Sequence, residues 1–306
     1  MTLLRRTAFP LVLVVVTCLA LIAVFVGAQR NPSESSPIVT EPYLGETEPG
    51  RTPRAFARRT LGTDLHTPPI FAPDGASVYW CTMDGGDIQW MRFENGAWTS
   101  PEIIPFAAES PSPLYSDSPF VSADGERLYF NSWRSSHGHE TVWFSERTEN
   151  CWGSPVELPF ESSPPRSHWG FTVTEDGTLY FAADGEIYIS QPEAGVYATP
   201  QPIGSPIDTP GRDEMPYVAR DGSYMLFSSN GHPGCLGDYD LYLSVRQPDE
   251  TWGEPVHLPS PVNTPHREIY PAVSPDGEFL FFLSTRYGGE LGAYWVDASV
   301  VTDLLP

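Results

Sequence analysis

The stretch EMPYVARDGSYMLFSSNGHPGCLGDYDLYLSVRQPDETWGEPVHL (214–258) contains one complete structural unit. EMPYV (214–218) reads as a short strand, and ARDG (219–222) turns the chain. Gly accepts a positive φ there, and Asp hydrogen-bonds its own backbone two residues on. SYMLFSS (223–229) is a second, densely apolar strand. A Gly-rich loop (230–237) leads to DYDLYLSV (238–245), whose alternation of apolar and polar residues marks a half-buried third strand. TWGEPVHL (251–258) reads as the outer strand, anchored by Trp252.

The same pattern returns four more times. FAPDGASVYW (71–80), VSADGERLYF (121–130), VTEDGTLYF (173–181) and VSPDGEFLFF (273–282) share the Asp-Gly turn and the apolar run after it. Their Asp residues (Asp74, Asp124, Asp176, Asp221, Asp276) are spaced by 50, 52, 45 and 55 residues. A period of that size, made of short strands and tight turns, is the mark of a β-propeller with one four-stranded blade per repeat. Third strands recur at Asp87-Ile88-Gln89-Trp90, Glu140-Thr141-Val142-Trp143 and Glu186-Ile187-Tyr188-Ile189. Outer-strand anchors recur at Trp98, Trp152 and Tyr197. The fifth repeat lacks an outer strand, and RAFARRTLG (54–62) is placed to supply it. Five blades closed by an N-terminal strand is the expected all-β fold over residues 55–306. A six-bladed ring is the alternative, and it would need a degenerate repeat hidden in residues 29–54. Strands of 3–6 residues and no helix beyond two turns are expected in the body.

Residues 1–28 do not belong to this body. Arg5 and Arg6 precede an almost unbroken apolar stretch from Ala8 to Ala28, ending in small residues before Gln29. This is either a cleaved signal peptide or an uncleaved signal anchor. Either one exports the rest of the chain, to the periplasm or beyond, and an uncleaved segment 8–28 would hold the protein in the inner membrane. Residues 29–54, rich in Pro, Ser, Glu and Gly, read as a disordered tether. Without residues 1–28 the chain has 15 basic against 39 acidic residues, a net charge of −24. That argues against nucleic acid and anionic lipid as partners. The three remaining cysteines, Cys81, Cys151 and Cys235, form neither a disulfide framework nor a zinc motif.

The repeat grammar resembles the TolB-like branch of WD-type propeller repeats, as found in bacterial exported proteins with Pro-Asp-Gly turns. The motifs that carry this are the Asp-Gly runs ending in Tyr-Phe, the Asp-Leu-Tyr third strand and Trp252-Gly253-Glu254-Pro255-Val256. The last segment, Tyr294-Trp295-Val296-Asp297, is similar to a terminal blade of that group. The resemblance covers residues 55–306 and implies the fold. TolB itself has six blades and an extra α/β domain, so its envelope-transport role is not carried over.

In a propeller, the loops entering the inner strands and those joining second to third strands share one face, the mouth of the channel. Eight residues before each turn Asp stand His66, Ser116, His168, Asp213 and Glu268. The next positions hold Thr67, Asp117, Trp169, Glu214 and Ile269. Arg134 and Arg286, in Ser-Trp-Arg and Ser-Thr-Arg, come after second strands. Asp84, His137, His139, Asp184 and His232 lie in the same loops. Polar groups converging on a concave mouth form the expected ligand site: His66, Asp117, His168, Trp169, Asp213, Glu214, Glu268, Arg134 and Arg286. His66, His168, Asp213 and Glu268 are the candidates for holding a divalent cation. The competing structural reading is that such acids cap the entering loops. Trp133 and Trp169 are the aromatic residues that depart from strand positions, and sugar stacking would fall to them.

Two functions fit. One is a non-catalytic scaffold or binding module of the cell envelope, with a protein or carbohydrate partner. The other is a metal-dependent polysaccharide lyase or hydrolase at the channel mouth, with His66 and His168 on the metal and Arg134 or Arg286 on a substrate carboxylate. No nucleophile elbow, phosphate loop or metalloprotease motif occurs.

Overall fold

The computed structural model describes residues 43–84, 86–106, 115–134, 138–149, 151–166 and 170–306. The apolar segment 8–28 and most of the expected tether lie outside the described residues, as do His137, His168 and Trp169. Among the described residues no helix is long and apolar enough to cross a membrane.

Five small antiparallel sheets form a five-bladed β-propeller. Blade 1 runs through Ile70–Phe71, Ser77–Trp80, Gln89–Glu94 and Glu102–Ile103. Blade 2 runs through Ser116–Val121, Arg127–Ser132, Thr141–Glu146 and Val156–Glu157. Blade 3 is Phe171–Val173, Leu179–Ala183, Glu186–Ser190 and Gln201–Pro202. Blade 4 is Asp213–Val218, Tyr224–Ser229, Asp240–Val245 and Val256–His257. Blade 5 is Glu268–Val273, Phe279–Ser284 and Gly292–Asp297, completed by Arg54–Ala55 from the other end of the chain.

The Asp-Gly turns behave alike in all five blades. Each Asp accepts a hydrogen bond from the backbone N–H two residues on, at 2.9 Å from Ala76 and 3.0 to 3.1 Å in the other four. Each following Gly has φ between 67° and 85°, where a side chain would be strained. Second strands are the most buried, and Phe279–Ser284 is buried at every residue. The hydrophobic core is divided into five clusters, one between each pair of neighbouring blades. Trp152 of blade 2 packs on Tyr79 of blade 1 at 6.3 Å, and Trp252 of blade 4 on Tyr180 of blade 3 at 6.1 Å. Each fully buried aromatic side chain in these seams contributes about 1.5–3 kcal/mol.

Two expectations need correction. The sequence predicts one closing strand over residues 54–62, but only Arg54 and Ala55 pair with blade 5, opposite Trp295 and Tyr294. Ala57 then takes a left-handed conformation (φ 40°), and Arg58–Leu61 forms a single helical turn. This drops Phe56 and Leu61 into the seam between blades 5 and 1, where burial outweighs two or three further ladder bonds. The outer strands are also shorter than the span 251–258 implies. Trp252 forms an isolated bridge to Arg246, and the strand proper is Val256–His257. Pro255, which has no N–H, separates them.

The axis is closed by a feature that no sequence motif announces. The inner strands of blades 2, 4 and 5 carry a bulge at Ser118 (φ 53°), Met215 (φ 57°) and Tyr270 (φ 59°), and blade 3 places Gly170 (φ 91°) at the same register. Each non-Gly residue there costs about 1–2 kcal/mol of backbone strain. The bulge turns Tyr270 across the axis. Its ring lies against Gly170, where a Cβ would stand 3.0 Å from it, and its hydroxyl donates to Ser118 Oγ at 2.7 Å.

Candidate functional site

The mouth face collects the starts of the inner strands and the loops between second and third strands. Glu268 is wholly buried and fully engaged. It accepts hydrogen bonds from the Thr264 backbone N–H and hydroxyl (both 2.8 Å), from Ser284 Oγ (2.6 Å) and from Arg286 Nη2 (3.1 Å). Asp213 repeats the scheme in blade 4, taking the Thr209 N–H (2.6 Å), the Thr209 hydroxyl (2.8 Å) and Ser229 Oγ (2.5 Å). Both acids close the loop Thr-Pro-x-Arg-acid that leads into their strand, Thr209–Asp213 and Thr264–Glu268. This is the capping role, and the Thr four residues ahead was the sequence signal for it.

Arg286 also donates to the carbonyls of Pro261 (3.2 Å) and Val262 (2.6 Å), which ties the entering loop to the second strand. Arg134 donates to Ser116 Oγ and Ser132 Oγ, at 2.5 and 2.8 Å, and lies over Phe106 and Phe130. Glu214 receives both Arg212 Nη2 (2.5 Å) and the Tyr239 hydroxyl (2.9 Å). His232 is buried, with Nε2 2.8 Å from the Ile207 carbonyl oxygen.

The structure brings His66 and Asp117 together from blades 1 and 2. His66 Nδ1 stands 3.5 Å from Asp117 Oδ2, with the residues 4% and 1% exposed. Both carboxylate oxygens of Asp117 are sealed from solvent, and the Tyr115 and Ser118 hydroxyls are the donors beside them. Burial pushes the pKa of this carboxyl up; the His66 ring opposes that shift, and Glu140 adds to it. The Tyr270 phenol, also buried and facing Asp117, is pushed well above its ordinary range by desolvation first and by that carboxylate second.

Glu140, Asp240, Met83, Leu236 and Tyr287 were not singled out from sequence as site residues, whereas Trp133 was. Glu140, buried at the start of the third strand of blade 2, accepts the Trp133 indole N–H (2.5 Å) and lies 3.4 Å from Arg166 Nη2. Asp240, the equivalent acid in blade 4, is 2.6 Å from His257 Nε2. Acids at third-strand starts recur in the repeat, and that recurrence was the available signal. Met83, Trp133, Leu236 and Tyr287, all in loops after second strands, are 46%, 46%, 52% and 66% exposed. Among the described residues no three His, Cys, Asp or Glu side chains converge as a metal site. Cys81, Cys151 and Cys235 are free thiols.

Two grooves of about 710 and 600 Å³ open on the opposite, Asp-Gly-turn face, on either side of blade 3. The first alternates Arg127 and Arg147 with Asp124, Glu126, Glu146 and Glu175. These two arginines and four acids line an open groove around turn residues whose Asp serves its own backbone, and the mouth is the better candidate.

No protein-family profile and no curated protein matches the chain. Solved structures with a similar chain path include a thermostable family-43 glycoside hydrolase (16% identity, TM-score 0.47, covering 76% of this chain and 88% of that one). A putative gluconolactonase is similar at 16% identity and TM-score 0.44, covering 74% and 72%. The NanB sialidase of Streptococcus pneumoniae is similar at 15% identity and TM-score 0.44, over 69% of this chain and 35% of the sialidase, so the chain spans about a third of that enzyme. At this level the likeness is one of fold alone.

Proposed function

We propose that the protein is an exported, non-catalytic binding module of the TolB-like kind, which docks an envelope protein on its mouth face. The observation that carries this is the distribution of exposed apolar residues. Four of the five loops between second and third strands each present one, Met83, Trp133, Leu236 and Tyr287, on the same face. Single exposed apolar residues are ordinary, and Ile103, Val156, Val196 and Val256 are such residues on outer strands; four on the loops of one face, each beside polar groups, suit an interaction surface. Arginines flank them, with Arg166 over Trp133 at 5.2 Å and Arg58 over Tyr287 at 4.4 Å. Meanwhile Asp213, Glu268 and Arg286, which chemistry at the mouth would need, are committed to their own loops.

The test is capture from the envelope fraction by the wild type and by a Trp133→Ala, Leu236→Ala, Tyr287→Ala triple variant of equal thermal stability. The variant should lose a partner that the wild type recovers. Identical recovery by both would end this reading. A carbohydrate occupant would show instead as wild-type binding to a glycan array that the triple variant loses.

A further inference from the structure

We infer that the turn-face end of the channel binds a small branched carboxylate, with Arg220 as its counter-ion. This end is opposite the docking face, and nothing in its chemistry depends on the docking reading. Tyr270 crosses the axis with its hydroxyl on Ser118. Two residues further along, toward the Asp-Gly turns, the inner strands bring Ile70, Phe120, Tyr217 and Ala272 to one register. With Val273 they line a cavity of about 50 Å³. That is room for about four water-sized groups, which an isopropyl or isobutyl tip would fill. Thr172, the fifth residue of this ring, gives its hydroxyl to the Pro216 carbonyl at 2.7 Å, and Ser274 at the rim gives its own to Asp276 at 2.6 Å.

Arg220, one residue before the turn Asp of blade 4, stands on the rim of this well. It is half-buried, and among the described residues no hydrogen bond, ion pair or aromatic ring holds its guanidinium. The other half-buried arginines all have partners. Arg246 donates to the Tyr180 hydroxyl at 3.0 Å, Arg267 faces Asp238 at 3.7 Å, and Arg286 bonds the Val262 carbonyl at 2.6 Å. Arg58, Arg92 and Arg134 are held by Glu290, Glu94 and Ser116. The positions equivalent to Arg220 are Pro73, Ala123, Glu175 and Pro275, so no repeat-wide turn requires a cation there. A guanidinium partly stripped of water recovers that loss only from an acceptor, and a carboxylate matches its paired N–H groups. One cation above an apolar lining suits a monoanion with a compact hydrocarbon tail. Arg220 also lines the groove between blades 3 and 4, so the carboxylate can belong to a free acid or to the last residue of a chain lying in that groove. The net charge of −24 beyond residues 1–28 repels anions at long range, but salt screens this beyond roughly 8 Å and leaves the direct contact.

The probes are isovalerate, its neutral isostere isovaleramide, and acetate, followed by calorimetric titration and saturation-transfer NMR on the full chain. Isovalerate should bind about tenfold more tightly than either control, since the amide lacks the charge and acetate lacks the branched tail. Arg220→Gln should remove the preference for isovalerate over isovaleramide and melt with the wild type. Ala272→Leu, which fills the well, should lose isovalerate; if that variant fails to fold, Arg220→Gln still decides. Arg127→Gln, in the neighbouring groove, should keep wild-type binding. An acetylated Gly-Val dipeptide with a free carboxylate that binds more tightly than isovalerate identifies a chain terminus as the source, and weaker binding identifies a free acid. Equal binding of isovalerate and isovaleramide, acetate as tight as isovalerate, no binding of isovalerate, or an unchanged preference in Arg220→Gln overturns the assignment. The Trp133→Ala, Leu236→Ala, Tyr287→Ala variant should bind isovalerate as the wild type does, which separates this site from the docking face.

Discussion

The two faces of the ring are built from the same repeat and differ in how they use their acids. On the turn face, five Asp residues do one thing in five blades, each bonding a backbone N–H two residues ahead. On the mouth face, equivalent positions carry His66, Ser116, Asp213 and Glu268; the two acids share one scheme of Thr and Ser partners, and His66 and Ser116 have others. Where a side chain serves its own blade's backbone, every copy has the same solution. Where blades meet around the axis, the copies need not agree, and in blade 2 the neighbouring Asp117 is buried against His66 of blade 1 in place of a loop cap.

The contrast is sharpest for Glu268→Ala, which strips partners from Thr264, Ser284 and Arg286 at once. We expect a loss of about 3–5 kcal/mol in denaturant unfolding; a loss below about 1 kcal/mol would mean that the mouth acids are not structural. Asp117→Asn should act in the opposite direction, with a gain of about 2 kcal/mol at neutral pH. The sign comes from burial. A carboxyl raised in the folded state binds more protons than in the unfolded chain, so stability falls as pH rises from the ordinary carboxylate range through the raised value. The variant should therefore show its advantage above that window and lose it in acid. Asp221 supplies the reverse slope: hydrogen bonds from Ser223 hold it below its ordinary value, so its contribution is present at neutral pH and lost as pH falls through that lowered value. Paired melting curves between acid and neutral pH read both trends.

Smaller effects test whether the turns are interchangeable. Gly125, Gly222 and Gly277 have φ of 75°, 73° and 77°, and an added Cβ at Gly222 or Gly277 meets nothing within 4 Å. Alanine at each should cost about 1 kcal/mol through backbone strain alone, and clearly unequal costs would break the equivalence. Tyr287→Ala should be smallest, within about 0.5 kcal/mol of wild type by thermal melting, because the ring is 66% exposed. A larger loss would make that ring a structural part of the loop.

The blade count was legible because Asp-Gly turns leave a fixed local signature, and closure by residues 54–55 came from a missing outer strand. The shortness of the outer strands was not, since Trp252 suits a strand and only the blade's edge geometry places it in a bridge. Nor were the bulges at Ser118, Met215 and Tyr270. Each precedes a proline, which by itself favours extended backbone; crowding at the axis imposes the left-handed conformation, and Gly170 at the same register was the one residue hinting at it. At the mouth, capping by Asp213 and Glu268 was only the competing reading to a ligand site, and the bonds from Thr209 and Thr264 in the structure decide for it. Aligning the repeats placed His66 and Asp117 on the same ring from two blades, but only the structure pairs them, at 3.5 Å.

The seam that closes the ring also sets how the molecule carries load. Tyr43 is wedged among Phe71, Phe279 and Trp295, with its hydroxyl donating to Asp276 at 2.5 Å. Arg51 is tied to Asp303 at 2.6 Å, and the Gly50 carbonyl accepts the Asp297 N–H. Tension applied at the amino terminus meets this aromatic wedge first, then the Arg51 clasp, and only afterwards the two-residue strand at Arg54 and Ala55. The segment 43–51 acts as strain relief, as a knot protects a cable's solder joint, and the ring would stay shut under a pull that the short strand could not bear by itself.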